Sequence, residues 1–399
     1  QMPPVGAEKR LPPETTAAFR TWIDAGAPWE TGAPAEAKWT YKPEDLWAFQ
    51  PVREPAIPLD AKNAIDRFVA AKWKEKAIQP APVADKRTLL RRVSFDLTGL
   101  PPSRKEMDAF LADSRPDAWE RVIDRLLQSP RYGERWGRHW LDVVRYADTS
   151  GYSNDFERPN AWRYRDYVIR SFNQDKPYNR LILEQIAGDE LFPGDAEALI
   201  ATGFLRAGPW EHTGMSVEAV TRQLFLDDVT HAVGATFLGL TVGCARCHDH
   251  KFYPIPTKDY YRLQAVFATT EFARPELQFL PQENTADLGA GRALMEKRIE
   301  QTRAKLAEFD EIVKNAVLSK HGVNRVEDLP PGILAEALKN KEGITPEQYE
   351  EMKLFQKHLQ LYRESVDRFA PKAYAVSSGP LDGATDGGTT LKYPPRKEY

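Results

Sequence analysis

The sequence predicts a mainly α-helical protein: a multi-helical domain with an appended antiparallel helical hairpin. Three observations carry this. From about residue 62 onward, apolar residues recur at three- and four-residue spacing. The 31 prolines cut that pattern into short segments, and 10 tryptophans supply anchors for packing them. Beyond residue 290, two longer seams alternate three and four apart, Ile299-Thr302-Leu306-Phe309-Val313 and Phe355-Leu359-Tyr362-Val366-Phe369. Two helices joined by the Pro- and Gly-containing stretch 322–345 would zip these seams together.

Composition narrows the class. A chain of 399 residues exceeds the usual single-domain size. Hydrophobic residues at 42% and charged residues at 28% are ordinary for a globular protein. A net charge of −3 gives no electrostatic case for nucleic acid or an anionic membrane surface. No apolar run of about 20 residues exists, so no membrane span is expected. The chain shows no signal peptide, which says little, because the opening Gln1-Met2-Pro3-Pro4 reads as a cut through a longer protein.

Taken in order, Phe19, Trp22 and Ile23 form the apolar face of one short helix that Thr15 or Thr16 can cap. Residues 31–60 are rich in Pro and Ala and read as an extended linker, with Trp47 to Val52 a sticky patch to lay over the next domain. Ile65, Phe68, Val69 and Trp73 mark the next helix, and Leu89 to Leu97 another that Gly99-Leu100-Pro101-Pro102 stops. Helices are expected over 103–112, 116–128 and 130–147; the last carries Trp136, Trp140, Val143 and Ala147 on one face, with His139 on the same stripe. Glu184 to Asp189 reads as a helix end and a turn, 216–239 as one long helix, and Asp259 to Phe267 as a further helix after Pro254-Ile255-Pro256. The chain thus divides into five units: a remnant over 1–30, the linker 31–60, a central helical domain 61–285, the hairpin 286–372, and the start of a further domain over 373–399.

The chemistry concentrates in Gly243-Cys244-Ala245-Arg246-Cys247-His248-Asp249-His250. Cys244 and Cys247 are the chain's 2 cysteines. Their spacing, with His248 directly after, is the attachment pattern of a c-type haem. Each thiol adds to one vinyl group, and the next side chain then falls beneath the ring, where its imidazole can ligate the iron. Zinc uses the same ligand types, but these ligands lie in one short loop with no second half further along. A thioredoxin-like redox pair calls for a βαβ context, and this region reads as helical. A chance match is the bland alternative, weakened because the chain places no cysteine elsewhere. Covalent haem implies a location outside the cytoplasm, where the attachment machinery of c-type cytochromes works.

Around that motif stand several candidates. His139 is either a core histidine or a distal ligand or polar group of a haem pocket. Residues 145–190 are polar and aromatic; Arg163 and Arg165 are candidates to pair with haem propionates, because a planar guanidinium meets a carboxylate bidentately. Asp148 and Asp155 are candidate acids or bases of a substrate pocket. His212 and Met215 offer further ligands from a loop. Asp227 and Asp228 precede His231 by one turn, a pairing that is usually structural. His250 is too close to His248 to reach the opposite face of the same haem; a propionate or another ligand is left to it.

Several stretches together resemble the planctomycete cytochrome-like multidomain proteins with PSCyt-type domains. The resemblance rests on Trp22 to Trp29, Arg92 to Pro102, Ser129 to Trp136, Arg138 to Asp142, Arg145 to Asp148, Trp162 to Asp166 and Cys244 to Phe252, and covers roughly residues 1–275. Tyr253 departs from the pattern of many relatives, which have Asp there. The resemblance implies that residues 1–30 end a cytochrome c domain, with Met2 as the axial ligand of a second haem c whose cysteines precede this chain. It implies a mostly helical central domain of formerly unknown function and a further domain downstream. It also implies export and association with carbohydrate-binding modules, hence an extracellular polysaccharide as a partner.

The expected function is an extracytoplasmic c-type haem protein acting as a redox enzyme, or as the haem unit of one, with Asp148, His139 and His212 as catalytic candidates. It would pass electrons to or from the adjoining cytochrome domain. A pure electron-transfer cytochrome, and a non-haem protein with a structural Cys/His metal site, are the alternatives.

Overall fold

The computed structural model describes residues 12–25, 44, 46–57, 63–151, 155, 157–210, 217–378, 385–386 and 389–390. It is mainly helical. In chain order come α1 (Pro13–Asp24), α2 (Ala64–Glu75), α3 (Lys86–Thr98), α4 (Arg104–Ala112), α5 (Ala118–Leu127), α6 (Pro130–Val143), α7 (Ala161–Asn173), α8 (Tyr178–Leu191) and α9 (Ala196–Ala201). After these come α10 (Glu218–Leu238), α11 (Thr257–Val266), β1 (Thr270–Ala273), α12 (Leu288–His321), α13 (Ile333–Asn340), α14 (Pro346–Val366) and β2 (Ala375–Ser378). Among the described residues no helix is long and apolar enough to cross a membrane.

Local chemistry explains the helix starts. Asp85 accepts from the backbone N–H groups of Arg87 and Thr88 at the head of α3. Ser103 and Glu106 form a reciprocal capping box on α4. Ser129 caps α6, and Pro130 takes its first position, where a missing N–H costs nothing. On α5 the residues Ala118, Val122 and Leu126, four apart, share the buried side and pack with Leu90 and Phe110 into a small core of α3, α4 and α5.

The main core is elsewhere. Tyr164, Tyr167 and Val168 of α7 meet Phe204 and Leu205, the α10 residues Phe225, Val229 and Val233, and Phe272 and Val376 of the strands. β1 and β2 pair antiparallel, Thr270 opposite Ser378 and Ala273 opposite Ala375. Arg206 seals the end of this pair: its guanidinium lies 3.6 Å from the Tyr374 ring centre and donates to the carbonyl of Ala273 at 3.0 Å. Residues 373–376, expected as the start of a further domain, are therefore buried in the main core. The partner strand lies about a hundred residues upstream, so no local pattern in residues 373–378 announced the pairing.

Helix α6 corrects the expected face in part. Trp140 is half-buried and packs against the main core as expected, but the fully buried residues are Gly133 and Gly137, and Trp136 and Val143 are exposed. The cause is a close approach to α7: a Cβ on Gly133 would lie 2.3 Å from the Ile169 carbonyl oxygen. The backbone N–H of Gly133 also donates to Asn173 Oδ1 at 2.8 Å. Small residues define this buried stripe, which a search for apolar periodicity passes over. His139 accordingly sits on the outside of α6, edge-on to Trp136 at 5.6 Å, and is not a core histidine. Gly133→Ala should overpack the crossing and lower stability by about 1–3 kcal/mol. Chemical denaturation would show this as a lower midpoint with an unchanged slope, and an unchanged midpoint would refute the close approach.

Past the core, Gly291 faces Phe369, Arg298 lies over Tyr362, and Phe309 meets Phe355, so α12 and α14 run in opposite directions. The connection between them holds a helix that the sequence did not announce, α13, whose Ala337 packs on Val313 and Val317. Another difference is in α8, which continues through Glu184 to Leu191, where a turn was expected; the chain kinks at Ala187 (φ −147°, ψ 36°) and resumes.

Candidate functional site

Helix α10 ends at Gly239, whose backbone is left-handed (φ 66°, ψ 22°), a conformation glycine adopts without steric cost. The chain turns back, Leu240 donating to the Gly234 carbonyl at 3.1 Å, and enters a 3₁₀ turn over Val242–Arg246. In such a turn residues three apart eclipse one another. Val242 and Ala245 thus share the buried edge, and Cys244 and Cys247 share the exposed one. The two are not joined in a disulfide. Gly243 passes against the His231 ring: a Cβ there would lie 2.7 Å from Nδ1.

The remaining side chains of the loop are turned inward or tied down. Arg246, between the two cysteines, reaches Asp227 of α10 at 2.9 Å. Asp227 is gripped further by the Tyr260 hydroxyl (2.7 Å), Gln264 (2.8 Å) and Gln223 (3.0 Å). Burial and the bond to Asp227 push the Tyr260 phenol above its ordinary pKa. Tyr261 donates its hydroxyl to the Arg246 carbonyl at 3.1 Å. Asp249 accepts the Thr257 N–H at 2.8 Å and so satisfies the first turn of α11.

His248 is exposed, and its Nδ1 lies 2.8 Å from the Asp249 carbonyl oxygen. A carbonyl only accepts, so in the neutral ring Nδ1 carries the proton and Nε2 is left with its lone pair. That is the tautomer in which imidazoles ligate metals, the opposite nitrogen bound to a carbonyl. His250 contrasts with it. It is 3% exposed, and its Nδ1 accepts the N–H groups of Phe252 (3.1 Å) and Tyr253 (3.0 Å). Its Nε2 therefore bears the proton and faces the Thr241 hydroxyl at 3.0 Å. Burial, with His248 adding to it, holds the His250 pKa below the usual imidazole value. Neither ring nitrogen is aimed at a ligand outside the loop, as a propionate partner would be. Phe49 lies over this loop, 6.2 Å from Tyr253, which rests 4.7 Å from His250. Trp47 stays 88% exposed.

A second polar cluster surrounds Asp148. This exposed carboxylate accepts the Tyr146 hydroxyl at 2.7 Å. Arg165 pairs with Asp166 at 2.8 Å; burial lowers its pKa, and the carboxylates of Asp166 and Asp148 raise it by more. Burial and the bond to Asp148 raise the Tyr146 pKa. Arg145, left-handed at φ 60°, forks onto Asp228 of α10 at 2.6 and 3.0 Å. Arg158 holds the base of the loop, its backbone N–H on the Asp148 carbonyl and its buried guanidinium on the carbonyls of Ala207 and Gly208. Adjacent residues of α10 thus grip the two clusters, Asp227 the cysteine loop and Asp228 the Asp148 loop. In the sequence this pair had suggested only a carboxylate partner for His231.

The sequence-predicted residues separate accordingly. Cys244, Cys247 and His248 come together on one exposed turn, while Arg165 pairs with Asp166 and lies within electrostatic range of Asp148. Arg163 belongs to neither. Its side chain is fully buried, and its five N–H donors go to both oxygens of Glu283 (2.8 and 2.9 Å) and the carbonyls of Leu277, Gln278 and Lys372. No donor remains for a haem propionate, which corrects that assignment. Among the described residues, no hydrogen bond or ring contact joins His139 to either cluster. Met2, His212 and Met215 lie outside the described residues. Sequence reasoning missed the clamp of Thr241, Asp227, Tyr260, Tyr261 and His250; the one available signal was polar residues crowding just before and after the cysteines. Among the described residues no three His, Cys, Asp or Glu side chains converge where a metal ion would sit.

A search of curated proteins found no match, nor did a search of solved structures. A family model does match, over residues 64–272, the span from α2 through β1 that includes both clusters. The chain belongs to that family, PSCyt2, described as a protein of unknown function (DUF1549).

Proposed function

We propose that Cys244 and Cys247 carry a covalently attached haem c with His248 as its iron ligand, and that the chain is an extracytoplasmic redox enzyme or the haem unit of one. One observation carries the reading. In a loop otherwise sealed by Asp227, Thr241 and His250, both thiols share an exposed edge, and the adjacent imidazole presents an unprotonated Nε2. The donor set fits the group: two thiols for two vinyls and one nitrogen for the iron. Phe252 and Tyr261, both exposed beside the loop, offer apolar surface to a porphyrin plane.

When bound, the haem supplies a one-electron acceptor. The chain's own residues would do the rest. Asp148, exposed and held by the Tyr146 hydroxyl, is the group the geometry favours for taking a proton from a substrate hydroxyl. Arg165 beside it would orient a polar substrate. The family resemblance supplies the class we favour, an extracellular carbohydrate, and the electron partner, an adjoining cytochrome domain.

The test is an optical spectrum of protein exported from a maturation-competent host, oxidised and then reduced, with denaturing mass spectrometry beside it. A haem-sized mass increment and sharp reduced bands are expected. Carbon monoxide added to the reduced protein should shift the Soret band if the iron has an open position for chemistry. An unshifted band would favour a pure electron carrier. An unmodified mass without a Soret band would end the haem reading and turn attention to a metal on the same cysteines and histidine.

A further inference from the structure

We infer, resting on the haem reading above, that His250 is the positioning residue that holds the Cys244–His248 loop in the shape required for attachment and ligation. Its side chain works on both flanks of the loop. On one side, Nε2–H reaches the hydroxyl of Thr241, the residue before the 3₁₀ turn. On the other, Nδ1 accepts two successive backbone N–H groups, those of Phe252 and Tyr253. A single buried ring thus staples the segment shut from Thr241 to Tyr253.

The backbone of His250 acts on His248 directly. The His250 N–H donates to the Ile255 carbonyl at 2.9 Å. That N–H and the Asp249 carbonyl belong to the same planar peptide unit, so fixing one direction fixes the other. The Asp249 carbonyl is the group that accepts from His248 Nδ1. Anchoring His250 therefore aims the acceptor that sets the His248 tautomer and leaves Nε2 outward. With both nitrogens occupied and the ring 3% exposed, His250 is placed to orient a ligand and not to be one.

Three variants of the full chain test this. His250→Phe keeps an aromatic ring against Tyr253 but removes both nitrogens. His250→Asn keeps an oxygen near the Nδ1 position that can accept the two amides. Thr241→Val removes only the partner of Nε2. Haem-free protein is read by amide hydrogen exchange at Phe252 and Tyr253 and by the rate of thiol alkylation at Cys244 and Cys247. Protein from a maturation-competent host is read by the haem-bearing fraction and the reduced spectrum.

His250→Phe should lose amide protection at Phe252 and Tyr253 and lower the haem-bearing fraction about tenfold, the scale of residues that orient metal ligands. His250→Asn should recover most of both, and Thr241→Val should fall between. Recovery by Asn with equal far-ultraviolet circular dichroism separates loop setting from general misfolding. Wild-type protection and haem content in His250→Phe would overturn the inference while leaving the haem reading intact. If the parent carries no haem, the haem reading fails; the loop-setting role of His250 then stands if His250→Phe loses the amide protection and falls if it does not.

Discussion

Replacing Cys244 and Cys247 together by serine is expected to take covalent haem from stoichiometric to none, the largest effect in the molecule. On the proposed attachment each thiol would form its own thioether, so either single serine variant should keep one bond and a smaller, heterogeneous haem-bearing population. His248→Ala separates attachment from ligation: it removes the proposed iron ligand and leaves both exposed thiols, in and directly after the 3₁₀ turn, in place. It should retain some covalent mass while the reduced spectrum loses its sharp bands. These outcomes are read by denaturing mass spectrometry and optical spectroscopy. Because Cys244 and Cys247 are exposed and belong to no core cluster, the serine variants should unfold at close to the midpoint of the haem-free parent. Haem that survives the double replacement would show non-covalent binding and sink the attachment chemistry.

The helical class and the cysteine–histidine motif were legible because both are written locally. Three- and four-residue periodicity located α4, α5, α10 and α11 to within a few residues, and two thiols three apart with a histidine directly after need no tertiary context to be noticed. What stayed hidden was non-local or carried by small residues. The α6–α7 crossing is set by Gly133 and Gly137, which have no apolar signal. The β1–β2 pair joins residues far apart in the chain. The division of labour between His248 and His250 depends on which ring nitrogen meets a carbonyl and which meets amides, and two histidines in one short motif look alike until those partners are placed. For the same reason Arg163 and Arg165, two apart on α7, read as one pair; the helix turns them to opposite fates, one sealed on Glu283 and the other beside Asp148.

That difference yields the second large effect, on stability. Arg163 and Glu283 are both fully buried, and the guanidinium also holds the carbonyls of Leu277, Gln278 and Lys372, joining α7 to the segments on either side of the α12–α14 pair. Removing one partner of such a pair leaves a charge in the interior with no counter-ion. Arg163→Met or Glu283→Gln should each cost about 3–5 kcal/mol. Arg163→Lys keeps the charge but has fewer donors in the wrong geometry, and should recover only part of the loss. Replacing both residues with apolar side chains of similar volume should be less harmful than either single change, since the isolated charge is gone. Denaturant unfolding of the parent, the two single variants and the double variant measures the cycle. If Arg163 instead served a haem propionate, Arg163→Met would shift the reduction potential and spectrum with little change in unfolding, and the double variant would show no recovery. An interaction energy near zero between Arg163 and Glu283 would therefore reject the structural role of this pair, whereas a large one commits the Arg163 guanidinium to Glu283.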